Sequence, residues 1–110
     1  MQTTTIVAPK VSANIPVSSA AIGAYTPASG AIVTMLSLAN KTAGTVKVTV
    51  TVYNGATDYI VCYLTPIGPN DTLFLGGENL KITLVNGWNV RASCDTLNAV
   101  DAVMCVTEFA

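Results

Sequence analysis

The sequence predicts an all-β chain: an antiparallel β-sandwich or jelly-roll-like barrel of seven to eight short strands, preceded by an extended N-terminal arm. Three observations predict it. Apolar residues recur at every second position in short runs, turn dipeptides separate these runs at regular intervals, and no stretch carries a helical period of useful length. A length of 110 residues suits one domain, and surface scaling for this size lets about 65% of the extended chain's area be buried. Residues 1–16 are read as the arm and 17–110 as the sandwich domain.

The arm contains Pro9 and Pro16 with Thr3, Thr4 and Thr5, and shows neither strand alternation nor a helical stripe. Such a segment can lie across a neighbouring subunit and add contact area without enlarging the domain. In residues 31–40, Ile32, Leu36 and Leu38 share a row in which Thr34 is the polar member, as in a strand. The clearest strand is 46–53, where Val46, Val48, Val50 and Val52 alternate with Lys47, Thr49, Thr51 and Tyr53. Asn54-Gly55 follows as a hairpin turn.

In residues 58–64, Ile60, Cys62 and Leu64 share one face and Tyr59, Val61 and Tyr63 the other. Both faces are apolar or aromatic, so the second is covered either by another chain or by a loop of the same domain. Pro66, Gly68, Pro69, Asn70 and Asp71 end that strand, and 72–75 forms another, closed by Gly76-Gly77. Leu80, Ile82 and Leu84 then alternate up to a hairpin turn at Asn86-Gly87. Trp88, Val90, Ala92 and Cys94 take the core face of the next strand, with Asn89, Arg91 and Ser93 outside. Residues 99–109 are apolar or small on both sides apart from Asp101, Thr107 and Glu108, which fits a central strand or one that meets another subunit.

Composition narrows the function. Hydrophobic residues make up 51% of the chain and charged residues 10%, against about 25% charged in ordinary soluble domains. With so few ionisable side chains to keep the surface dispersed, much of it is expected to be covered by neighbours, which predicts a homo-oligomer. Five basic and six acidic residues leave a net charge of -1 without a block of either sign, so no nucleic acid partner is expected. No basic-then-apolar leader opens the sequence, and no run of 18 apolar residues occurs, so neither a signal peptide nor a membrane span is expected.

Catalysis is not expected either. Histidine is absent, which removes every His-based triad. Cys62 and Cys105 lie in apolar strands that disfavour a thiolate. The carboxylates Asp58, Asp71, Glu78, Asp95, Asp101 and Glu108 mostly fall at turns or strand starts, where Asp is common for backbone reasons. Neither a calcium loop, a CxxC pair nor a phosphate-binding glycine loop is present. We therefore assign no catalytic, cofactor-binding or metal residues, and no cofactor. The odd set of Cys62, Cys94 and Cys105 is read either as small buried hydrophobes or as the source of an inter-subunit disulfide. The interface candidates are Tyr59, Val61, Tyr63, Val103 and Cys105. A separate reading places Tyr25, Tyr53 and Trp88 in exposed loops that stack on host glycans.

Several features occur in a fixed order: Tyr53-Asn54-Gly55 after the Val/Thr strand, the Pro66-Ile67-Gly68-Pro69-Asn70-Asp71 loop, Leu73-Phe74-Leu75-Gly76-Gly77, Leu84-Val85-Asn86-Gly87-Trp88, and Ala99-Val100-Asp101-Ala102-Val103 with Glu108. Through them, residues 46–109 resemble small virion structural proteins encoded by tailed bacteriophages. The chain departs from that pattern in having Gly87-Trp88 where Gly-Asp is common, and in its three cysteines. The resemblance implies a β-sandwich that decorates or cements the head shell, often as a trimer, by binding the major capsid protein or another virion protein. Its alternative settings are the neck, tail or baseplate. It also implies a location on the virion's capsid surface after assembly in the host cytoplasm.

Overall fold

The computed structural model describes residues 8–76 and 82–108, which form nine β-strands and one short 3-10 turn. In chain order the strands are β1 (Ala8–Asn14), β2 (Ala20–Ala21), β3 (Ala31–Asn40), β4 (Val46–Tyr53), β5 (Asp58–Ile67), β6 (Thr72–Gly76), β7 (Ile82–Leu84), β8 (Asn89–Cys94) and β9 (Val100–Glu108). The 3-10 turn, Ile22–Ala24, follows β2. The expectations placed on residues 1–7, Gly77, Glu78, Leu80 and Phe109 lie outside the described residues.

The strands pair in nested order, all antiparallel: β1 with β9, β2 with β8, β3 with β6 and β7, and β4 with β5. This is one long two-stranded ribbon whose segments fall alternately into two sheets. The first sheet has the order β1-β9-β3-β6, with β7 also on β3, and the second has the order β2-β8-β4-β5. Two sheets built this way make a jelly roll, one of the two architectures the sequence predicts. Strands β9 and β3 run through the centre of the first sheet, and β4 and β8 through the second.

Alternation makes the core. Val46, Val48 and Val50 of β4 are buried, its neighbour β8 adds Val90 and Ala92, and the other sheet adds Leu36 and Leu38 of β3 and Val100, Ala102, Met104 and Val106 of β9. Ile15, Ile22 and Leu84 belong to the same buried cluster. Among the described residues no buried side-chain nitrogen or oxygen lacks a hydrogen-bond partner, as a stable interior requires.

Three expectations need correction. The segment read as a free arm is a strand from Ala8 onward: β1 is laddered to β9 from Ala8↔Val106 to Asn14↔Asp101, and Ile15 behind it is fully buried. The sandwich therefore starts well before residue 17. Alternation could not reveal this, because β1 is irregular, with its register shifting between Pro9 and Val11. Along β3 the register shifts between Val33 and Met35, so Thr34 is an inserted bulge residue and the parity of the strand flips there. Ile32 consequently lies on the outer side while Leu36 and Leu38 lie inside. Lastly, Asn86-Gly87 makes a tight turn, with Trp88 N–H donating to Val85 O at 3.0 Å and Gly87 at φ 89°, but its flanking strands belong to different sheets. It is a crossover and not a hairpin. Asn54-Gly55 does head a hairpin, in which Asn54 Oδ1 accepts from Ala56 N and Thr57 N at 3.0 and 2.7 Å.

Candidate functional site

Strand β5 is the outermost strand of the second sheet, bonded to β4 on one side only. A regular strand here would expose every second residue. Instead, the partner of β4 jumps from Thr65 to Cys62 as β4 advances from Val48 to Val50, and from Cys62 to Ile60 as it advances from Val50 to Thr51. Each jump inserts a bulge. Leu64 takes a left-handed backbone, φ 46°, and its N–H donates to Thr49 Oγ1 at 3.1 Å. For a bulky side chain that conformation is strained.

The bulges redistribute the side chains. Val61 and Cys62 both pack against the core, whereas Tyr59, Ile60, Tyr63 and Leu64 stand open with 55%, 61%, 65% and 47% of their surface exposed. Of the residues expected at an interface, Tyr59 and Tyr63 are on this surface and Val61 is not. Ile60 and Leu64 stand open as well, with Tyr59 and Ile60 on opposite faces of the strand, since they pair in succession with Val52 and Thr51. No glycine marks either bulge, so the sequence offers no local signal for the change.

Val103 and Cys105 are elsewhere. They lie half-buried on the outer face of the first sheet, where Val103 is level with Ser12 of β1 and Ser37 of β3, and Cys105 with Met35 of β3. Ser37 pairs in turn with Phe74 of β6, which is 70% exposed. The five expected interface residues thus divide between two sheets, and sequence reasoning missed Phe74.

The three cysteines are unpaired and in different settings. Cys94 is buried, its thiol donating to Thr96 O at 2.9 Å and lying 3.7 Å from Ile15 O. Linking it to another chain would require that end of the sandwich to open, so it drops out of the candidates for an inter-subunit disulfide. Cys62 sits opposite Val50 against the core. Cys105 is the thiol on an outer face.

The aromatic residues considered for glycan stacking are engaged within the fold. Tyr25 and Trp88 pack against the core, and the Arg91 guanidinium lies over the Tyr53 ring at 3.7 Å. Arg91 Nε also donates to Asn89 Oδ1 at 3.2 Å, and Thr51 Oγ1 to Asp58 Oδ1 at 2.9 Å, so this outer face carries a polar network.

Tyr25 ties the segment after β2 to the end of β9 by donating its hydroxyl to Glu108 Oε2 at 2.6 Å. Burial, the hydrogen bond to Glu108 and the charge of that carboxylate together push the phenol well above its ordinary range. A raised value means that the folded chain favours the neutral phenol. This contribution is complete below pH 10.0 and is lost as the pH rises beyond it. Tyr25→Phe is expected to lower stability by about 1 to 2 kcal/mol at neutral pH, and to remove part of the alkaline decline. Urea unfolding at neutral and alkaline pH measures both, and identical alkaline slopes in the two proteins would contradict the assignment.

Among the described residues, no three His, Cys, Asp or Glu side chains gather closely enough to hold a metal ion, no surface pocket forms, and no helix is long and apolar enough to cross a membrane. The features that stand out are the exposed apolar surfaces. Compared with models of known protein families, with curated proteins and with solved structures, the chain matches none.

Proposed function

We propose that this chain is a structural subunit of a bacteriophage virion, most specifically a decoration or cement protein that binds the head shell as a homo-oligomer, with three chains favoured. The observation that carries this reading is the exposure of Tyr59, Ile60, Tyr63 and Leu64 on one strand of a chain with only five basic and six acidic residues. Apolar surface of this kind on a small domain marks sites that bind other proteins. The ordered motifs of residues 46–109 support the virion setting by resemblance. The jelly roll adds an analogy, since viral capsid domains use it, as do lectins and cupins.

Such a role works through binding itself. Many copies, each making modest contacts and repeated by symmetry, clamp a shell without a reacting group. The outer face of the first sheet, with Ile32, Met35, Val103, Cys105 and Phe74, offers a second surface for an underlying major capsid protein or another virion protein.

The test is reconstitution. Purified chain mixed with phage particles that lack it is expected to sediment with them in a saturable, symmetry-related number of copies. A native mass of three chains fits a threefold site, and six or twelve chains fit a neck or tail position instead. No association with any virion component would sink the proposal.

A further inference from the structure

We infer that Asn86 is a site of spontaneous covalent modification, where the side-chain amide is lost through a cyclic imide and water leaves an aspartyl or isoaspartyl residue, while the fold shields Asn54 from the same reaction. Asparagine precedes glycine at two places, Asn54-Gly55 and Asn86-Gly87. Glycine makes such a pair reactive because, without a Cβ, its nitrogen meets the preceding side chain unhindered. By sequence the two pairs are equal candidates. The structure separates them.

The reaction needs water and hydroxide alone. Once hydroxide has taken its proton, the Gly87 backbone nitrogen attacks Asn86 Cγ. The new N–Cγ bond closes a five-membered ring, the Cγ–Nδ2 bond breaks, and the leaving nitrogen takes a proton from water to depart as ammonia, which restores the hydroxide. Water then adds to one of the two ring carbonyls. Breaking the N–Cγ bond gives the aspartyl form. Breaking the bond from nitrogen to the main-chain carbonyl carbon gives the isoaspartyl form, whose main chain runs through Cγ. The sum converts an amide and water into a carboxylate and ammonium, with no change of oxidation state.

Exposure and freedom favour Asn86. Asn86 and Gly87 are exposed in the crossover from β7 to β8, so hydroxide reaches both. They are the two central residues of a turn closed by the bond from Trp88 N–H to Val85 O. Among the described residues the Asn86 side chain has no hydrogen-bond partner, so it rotates toward Gly87 N without breaking a contact.

Asn54 is held instead. It is half-buried, its Oδ1 accepts from Ala56 N and Thr57 N at 3.0 and 2.7 Å, and its own N–H donates to Thr57 O at 3.2 Å. Turning this side chain toward Gly55 N breaks the two bonds at its oxygen, which slows ring closure on the order of tenfold. Crowding does not decide between the pairs, since a Cβ built on Gly55 or on Gly87 would meet nothing within 4 Å.

The product adds a negative charge to a chain whose net charge is -1, so isoelectric focusing resolves it. The experiment incubates the purified chain in mildly alkaline buffer at physiological temperature, folded and in guanidinium chloride, and follows both pairs by tryptic mapping and mass spectrometry, with isoaspartyl groups detected by enzymatic methylation. Trypsin separates the pairs, because Lys47 and Lys81 flank Asn54 while Lys81 and Arg91 flank Asn86. In the folded chain Asn86 is expected to convert at least ~10-fold faster than Asn54, and in guanidinium chloride the two rates should converge. Asn86→Gln, whose longer side chain must close a larger ring, should abolish the acidic form on focusing while leaving the circular dichroism unchanged. Folded chain that converts Asn54 as fast as Asn86, or that keeps Asn86 intact while the denatured chain loses it, would overturn the inference.

Discussion

Replacing Asn40 with alanine is expected to lower the unfolding free energy by about 3 kcal/mol, and replacing it with aspartate is expected to cost more. Asn40 ends β3 and is buried. Its amide nitrogen faces three backbone carbonyls, those of Gly44, Ile67 and Gly68, at 2.8, 3.0 and 3.0 Å. Its oxygen accepts from Thr42 N and Thr42 Oγ1 at 2.9 and 2.7 Å. The β3–β4 and β5–β6 connections, each of which crosses between the two sheets, are thus joined through one side chain. Alanine strands some of these buried groups without a partner. Aspartate has the same shape but sets an acceptor, and a charge, against three carbonyl oxygens, which is worse than an empty space. Urea titration should rank the proteins wild type, then Asn40→Ala, then Asn40→Asp. An aspartate variant as stable as the alanine one would show that the amide does not face the carbonyls.

Leu36→Ala is expected to cost about 3 to 4 kcal/mol, a large share of the ~5 to 15 kcal/mol typical of a whole domain. Leu36 is fully buried in β3 and lies level with Met104 of β9 and Leu75 of β6. With strands laddered on both sides, the backbone cannot collapse into the vacated volume. Ile32→Ala makes the contrast. By alternation the two residues share a row, but the bulge at Thr34 puts Ile32 on the outer side, where the loss should stay near 1 kcal/mol or below. Equal losses for the two variants would mean that β3 runs without the bulge.

These contrasts show where reading by pattern succeeds. Strands β3 and β4 begin and end where alternation and the following turn signals put them, and the Val46, Val48, Val50 row is the core row. Trp88, Val90, Ala92 and Cys94 face inward as their spacing predicts. The last strand, apolar on both sides, is central. In each case one residue in two is sequestered from water, and the side chains record it.

The failures share a cause. At Thr34, Val61 and Leu64 the chain inserts a residue without using glycine or proline, and the alternation before and after each insertion looks unbroken when read as one run. Reading β5 as one unbroken run therefore predicts neither that Val61 and Cys62 both pack against the core nor that Tyr63 and Leu64 both stand open. The Asn86-Gly87 pair presents the chemistry of a tight turn in either case, since the backbone angles are local while the sheet that receives the next strand is not.

The amino-acid order by itself determined the class of fold, the main core rows, the turn positions and the shortage of charge, because each depends on side-chain polarity at short range. The tertiary structure alone decided how the ribbon divides between two sheets, that Ala8–Asn14 is an edge strand, and which side chains of β5 stand open. Register and bulges are settled between strands distant in the chain, where pairing geometry and the closure of the core outweigh local preference.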